Sequence, residues 1–293
     1  VYDKACILAE ERGIRVTGSE LVGLIPLDAI ILAGKHYLQK QNRSIGVPVS
    51  DIIECAVQSL GLNDVTPFIN NEKIIDYAVM ENNDDMFDKD FLESVSLNTP
   101  APGGGSVSAL SGSLGSALCS MVASLTHEKK DMFQNRLIME EIGVKAQELK
   151  DDLAHLVSED SRAFNKVLDA VRLPAISEQD KKEKTKNLSL AYKYAIEIPY
   201  QTAKKCYEVM QLAEILIDKG NPRSLTDVGV ASEVAFAGLR GGCMNVLINL
   251  PELNDKPYIN QKQKEVDNLL KKGERLNRKL FKKTISSLEM IGL

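Results

Sequence analysis

The chain has 293 residues, 44% apolar and 26% charged, the balance of an ordinary globular protein with length for one large or two medium cores. A net charge of −5 gives no general attraction to nucleic acid. The five cysteines are odd in number and scattered without a CxxC pair, and there are three histidines, which argues against a disulfide framework, a thiolate zinc site or an all-histidine metal site. No metal is expected, and the thiols suit a reducing, cytoplasmic compartment.

The chain opens on Val1 inside helix-like text, so a longer protein with residues upstream is the expectation. Tyr2 to Glu11 reads as a helix closed by Gly13. "IRVTGSELVGLIP" then looks strand-like or extended, punctuated by Gly18 and Gly23. Pro26 opens a helix, "LDAIILAGKHYLQKQ", and "SDIIECAVQSLGL" gives another with Ser50 as its N-cap. Residues 1–80 therefore read as a truncated α/β piece, the rest of its sheet lying upstream. The acidic, polar stretch over 81–90 reads as a linker running into a short helix around Phe91.

Beyond it, helical periodicity predicts elements at about 106–126, 131–173, 178–219, 224–250 and 257–291. The breaks fall at Pro174, Pro222 and Pro251, where proline ends each periodic stretch. Long helices with short connections imply an antiparallel bundle over 91–293. The fold class expected is mainly α, a helical bundle preceded by the α/β piece.

Thr99 to Thr126 runs 28 residues without a charge, with seven serines and five glycines. The thin spread of bulky apolar residues argues against a membrane span. No Gly-Lys-Ser/Thr follows, and Gly103 and Gly105 lack the third glycine of a dinucleotide fingerprint, so neither phosphate-loop reading survives. Ala109, Gly112, Ser116 and Ser120 define one narrow helical face suited to close packing against a helix or a flat ligand, with Val107, Leu110 and Leu114 on the bulkier side. Gly103, Gly104, Gly105 and Ser106 begin that helix and can turn amide N–H groups towards an anionic or carbonyl-bearing ligand.

Leu149, Leu153, Leu156, Asp160, Phe164, Val167 and Val171 form one stripe, with Asp160 in a core position. Such a carboxylate is either ion-paired in the core or used in chemistry. Ser224 and Asp227 match a capping box, an alternative to a ligand role for Asp227. Asn245 and Asn249 place two carboxamides on a second small-residue face, for a ligand or for interhelical hydrogen bonds. The basic last helix reads as a solvated face.

"TPAPGGGSVSALSGSLGSALCSMVASLT", "HLVSEDSRAFNKVLDAVRLP" and "GNPRSLTDVGVASEVAFAGLRGGCMNVLINL" together resemble the cyclodeaminase domain of the formiminotransferase-cyclodeaminase family, over about 88–293. "GSELVGLIPLDAIILAGKHYLQKQN" and "LGLNDVTPFINNEKIIDYAVM" resemble the end of the formiminotransferase domain that precedes it. The resemblance implies conversion of 5-formiminotetrahydrofolate to 5,10-methenyltetrahydrofolate and ammonia, with a tetrahydrofolate derivative as substrate and no tightly bound cofactor; whether the basic last helix attracts a polyglutamate tail is open at the level of sequence. It implies that Asp160 is the catalytic carboxylate, with Gly103, Gly104, Gly105, Ser106 and Asp227 placing the ligand. It further implies a homodimer of the helical domain and a higher oligomer of the full-length protein. A methenyltetrahydrofolate cyclohydrolase of the same fold and a non-catalytic helical assembly module are the competing expectations.

Overall fold

A computed structural model describes residues 2–78, 89–96 and 99–291. They fall into two compact units, Val1–Met86 and Phe87–Leu293. Most of the expected linker, 81–88, lies outside the described residues.

The first unit holds helices α1 (Tyr2–Glu10), α2 (Leu27–Lys40), α3 (Val49–Leu60) and the single turns α4 (Asn70–Lys73) and α5 (Ile75–Ala78). α2 and α3 pack closely at Gly34, where a Cβ would stand 2.0 Å from the Ile52 carbonyl oxygen. Gly61 closes α3 in the left-handed region at φ 65°. Ser50 is not the N-cap: it lies inside α3, and Pro48 takes the cap position.

The expected α/β character is absent. Among the described residues there is no strand. "IRVTGSELVGLIP" makes one isolated parallel bridge, Ile25 with Ile74. It consists of the Ile25 N–H donating to Lys73 (2.9 Å) and the Ile75 N–H donating to Ile25 (3.0 Å). A ladder needs a partner segment that is itself extended. Here the partner passes straight from α4 into α5, while Gly18, Gly23 and Pro26 interrupt the other side. Both units are built from helices.

The second unit contains α6 (Lys89–Ser96), α7 (Gly104–Glu128), α8 (Arg136–Arg172), α9 (Glu178–Lys219), α10 (Leu225–Asn249) and α11 (Lys256–Ile291). α9 starts at a capping box, Ser177 with Asp180, and runs unbroken through Pro199. α7 is the central helix. Its glycines admit α9 and α10: a Cβ on Gly112 would meet Cys206 Sγ at 2.4 Å, and one on Gly115 would meet the Ala231 carbonyl oxygen at 2.8 Å. Its serines bind α8: Ser113 donates to the Lys150 carbonyl (2.9 Å) and Ser116 to that of Ala146 (2.7 Å). A hydroxyl on so short a side chain reaches a neighbouring helix's backbone only when the two helices lie close. The small-residue face is thus the buried one. α7 is long and apolar enough to cross a bilayer, with mean hydropathy 1.3, but 61% of that window is buried inside the bundle. The bulkier side faces out: Val107, Leu114 and Met121 are 39%, 55% and 40% exposed.

α11 is less solvated than its composition suggests. Lys262 is buried between Glu197 (3.1 Å) and Glu265 (2.9 Å), over the Tyr200 ring. In the α8 stripe Leu149, Leu153, Leu156 and Val167 are buried and Asp160 and Phe164 half-buried, but Val171 is 47% exposed and Ala170 takes its place. Repeated steps of four outrun the 3.6-residue turn.

Candidate active site

At the start of α7, the loop before it, α8, α9 and the end of α10 enclose a pocket of about 370 Å³. That volume is at the small end for an organic ligand. Gly103, Gly104, Gly105, Asp160, Asn245 and Asn249 all line it, joined by Phe164, Tyr192, Ile248 and Glu252.

Asp160 sits against the first turn of α7. A Cβ on Gly105 would fall 2.0 Å from Asp160 Oδ1 and 2.5 Å from its Cγ. Gly105 is therefore a space for a carboxylate, and the anion drawn to this helix start belongs to the protein itself. Ser106, fully buried, donates its hydroxyl towards Asp160 Oδ2 (3.0 Å) or the Val157 carbonyl (3.0 Å), having one proton for the two acceptors. Burial pushes the Asp160 carboxyl above the ordinary aspartate value, while bonds from the Ser106 hydroxyl and amide pull the other way without cancelling it. The result is a carboxylate poised to accept and return a proton.

The carboxamides are oriented by their own helix. Asn245 Nδ2 donates to the Gly241 carbonyl (2.8 Å); Asn249 Nδ2 donates to those of Asn245 (2.8 Å) and Ala195 (3.3 Å). Asn249 spends both N–H donors on backbone and Asn245 one of its two, leaving the second Asn245 N–H and the Oδ1 atoms for a ligand. Glu159, one residue from Asp160, turns away to Tyr194 and Arg162. Among the described residues that line the pocket there is no lysine, arginine or histidine, and its polar side chains are mainly oxygen acceptors. Among the described residues, no group of three or more His, Cys, Asp or Glu side chains is placed to hold a metal ion.

Asp227 is not brought to this pocket. It lies in the first turn of α10, eighteen residues before Asn245 and about 27 Å along the helix at 1.5 Å per residue. The capping box expected with Ser224 is not formed either. Ser224 ends a 3₁₀ turn at φ −103°, ψ 17°, whereas a capping side chain needs an extended backbone. Asn221 caps that turn instead, accepting from the Arg223 N–H at 3.2 Å.

Tyr192 and Glu252 were not singled out by sequence reasoning. A signal for Glu252 exists: Asn245, Asn249 and Glu252 are spaced by 4 and 3. Pro251 hides it by reading as the end of the helix, but the 3₁₀ turn Leu250–Glu252 carries the same face forward.

Residues 88–268 match the family model described as formiminotransferase-cyclodeaminase, and residues 1–80 match that of the formiminotransferase domain. The chain belongs to the formiminotransferase-cyclodeaminase family. It is 31% identical over 279 residues to the formimidoyltransferase-cyclodeaminase of Gallus gallus, covering 94% of this chain and 51% of that one. It thus spans about half the length of such relatives. It is also 34% identical over 191 residues to a methenyltetrahydrofolate cyclohydrolase of Methylorubrum extorquens, covering 65% of this chain and 92% of that one. Among solved structures, a formiminotetrahydrofolate cyclodeaminase of Thermotoga maritima is similar, with a TM-score of 0.59 and 28% identity over 70% of this chain and 96% of that one. Membership and fold place the chain among cyclodeaminase-like enzymes.

Proposed function

We propose that the second unit is a formimidoyltetrahydrofolate cyclodeaminase, closing 5-formiminotetrahydrofolate to 5,10-methenyltetrahydrofolate with loss of ammonia. The observation that carries the reading is Asp160, a half-buried carboxylate with a raised pKa at the wall of a cation-free pocket. N10 of the folate attacks the carbon of the protonated amidine on N5, giving a tetrahedral intermediate that carries an NH2 group. Asp160 takes the N10 proton and returns one to the nitrogen that leaves as ammonia. The same carboxylate offsets the positive charge of the amidinium-like product. Gly103 and Gly104 let the ring approach the α7 start, Gly105 makes room for Asp160, and Ser106 keeps that carboxylate aimed.

Other parts of the reading follow from membership. The whole protein would be a bifunctional formimidoyltransferase-cyclodeaminase of histidine degradation in the cytoplasm, with the transferase active only in full length. The outward apolar faces of α7 and α10, with Leu114 and Ile248 55% and 71% exposed, would pair two copies. The domain division proposed is a formiminotransferase remnant over 1–80 and a cyclodeaminase domain over 91–293.

One observation favours a second reading: the cyclohydrolase of Methylorubrum extorquens aligns over 92% of its length. Such an enzyme would open the methenyl ring with water. Offering the chain 5-formiminotetrahydrofolate and 5,10-methenyltetrahydrofolate separately decides between them. The cyclodeaminase reading expects the methenyl absorbance to rise in the first mixture with equal release of ammonia. A fall of absorbance in the second, with nothing in the first, would establish the hydrolase instead.

A further inference from the structure

The proposed mechanism leaves one end of the pocket unused. Asp160, Gly104 and Asn245 meet at the start of α7, where a Cβ on Gly104 would stand 3.6 Å from Asn245 Nδ2. From Asn245 the same face continues through Asn249 to Glu252, seven residues on and about 10 Å away at 1.5 Å per residue. There Glu252 and Tyr192 of α9 line the pocket together, and the phenol's pKa is raised by burial first and by the nearby Glu252 carboxylate second. Among the described residues Glu252 has no cationic partner, and no lysine or arginine lines the pocket to supply one. Glu252 is exposed at this end of the pocket, and with no cation bound to it the carboxylate is free to accept paired N–H donors from a ligand.

We propose that Glu252, aimed by Tyr192, is the specificity-determining residue that accepts two N–H bonds from the amino-pyrimidine edge of the ring. The inference rests on the folate reading above. In a reduced pterin, ring N3–H and the 2-amino group present two parallel donors at the end of the bicycle opposite N5. A fused bicycle with a hydrogen bond at each end has a length comparable to the rise of about 10 Å from Asn245 to Glu252. With N5 and N10 at Asp160, that edge arrives at Glu252. Asn245 and Asn249 line the pocket between them, each with a carboxamide oxygen as a further acceptor.

Calorimetric titration of the full chain with two non-reacting probes tests this. One is 5-formyltetrahydrofolate; the other is its 2-desamino-2-methyl counterpart, which lacks one of the two donors. Wild type should prefer the amino compound by about tenfold or more, the range of a hydrogen bond to a charged group. Glu252→Gln should shrink that preference, weakening the amino compound more than the other, which keeps only the N3–H donor. Tyr192→Phe should give a smaller selective loss and serves as a second route. Equal weakening of both probes in Glu252→Gln, or no change in either, overturns the inference while the folate reading stands. Failure of wild type to bind either probe overturns both.

Discussion

Asp160 and Gly105 form a matched pair, the carboxylate occupying the volume that any larger residue at 105 would fill. Gly105→Ala should therefore keep the helices, because alanine is the better helix former, yet displace Asp160 from the α7 start. A far-ultraviolet spectrum like wild type with activity down by tenfold or more is the expected outcome. Wild-type activity would show that the close approach is immaterial. Asp160 also couples function to stability. Burial raises its pKa, so the folded chain holds that proton to higher pH than the unfolded chain. The stability this contributes is complete below the unfolded value and is lost as pH rises through the folded one. At neutral pH the ionised group is a cost, and Asp160→Asn should raise the melting temperature there, with the gain shrinking on acidification. Turnover in the wild type should fall on acidification at a pH above the ordinary aspartate value of about 3.9. A melting temperature lowered by Asp160→Asn at neutral pH would contradict this account of the site.

At the scale of elements, the bundle depends on glycines and serines where helices touch. A Cβ on Gly242 would lie 2.7 Å from the Pro199 carbonyl oxygen and 3.1 Å from Ala203. Gly242→Ala should push α9 and α10 apart and cost about 1–3 kcal/mol in a denaturant titration, the range of overpacked cores. An unchanged midpoint would mean that the helices separate freely there. The long helices were legible because apolar residues recur with the helical period and prolines punctuate them. The site was legible in part for the same reason, since a carboxylate within an apolar stripe stands out. The strand around Val16 was misread because alternation between glycines says nothing about a partner. Ser224 and Asp227 fit a capping pattern that depends on backbone angles the spacing does not encode. Glu252 went unread because Pro251 ends an α-helix without ending the face that helix presents.

At the scale of the molecule, the second unit buries its small residues and leaves apolar ones outside. Val107, Leu114 and Met121 of α7, with Met244 and Ile248 of α10, are each at least 39% exposed. The proposed homodimer would cover them. Leu114→Glu should then convert dimers to monomers in light scattering, a charge within the apolar seam being costly. A wild-type chain that is already monomeric would contradict the assignment. The measurement that tests the central claim most directly is ammonia release from 5-formiminotetrahydrofolate, followed together with methenyl absorbance in wild type and Asp160→Asn. The account predicts equal appearance of both products in wild type and loss of both in the folded variant. Near wild-type turnover by Asp160→Asn would contradict it.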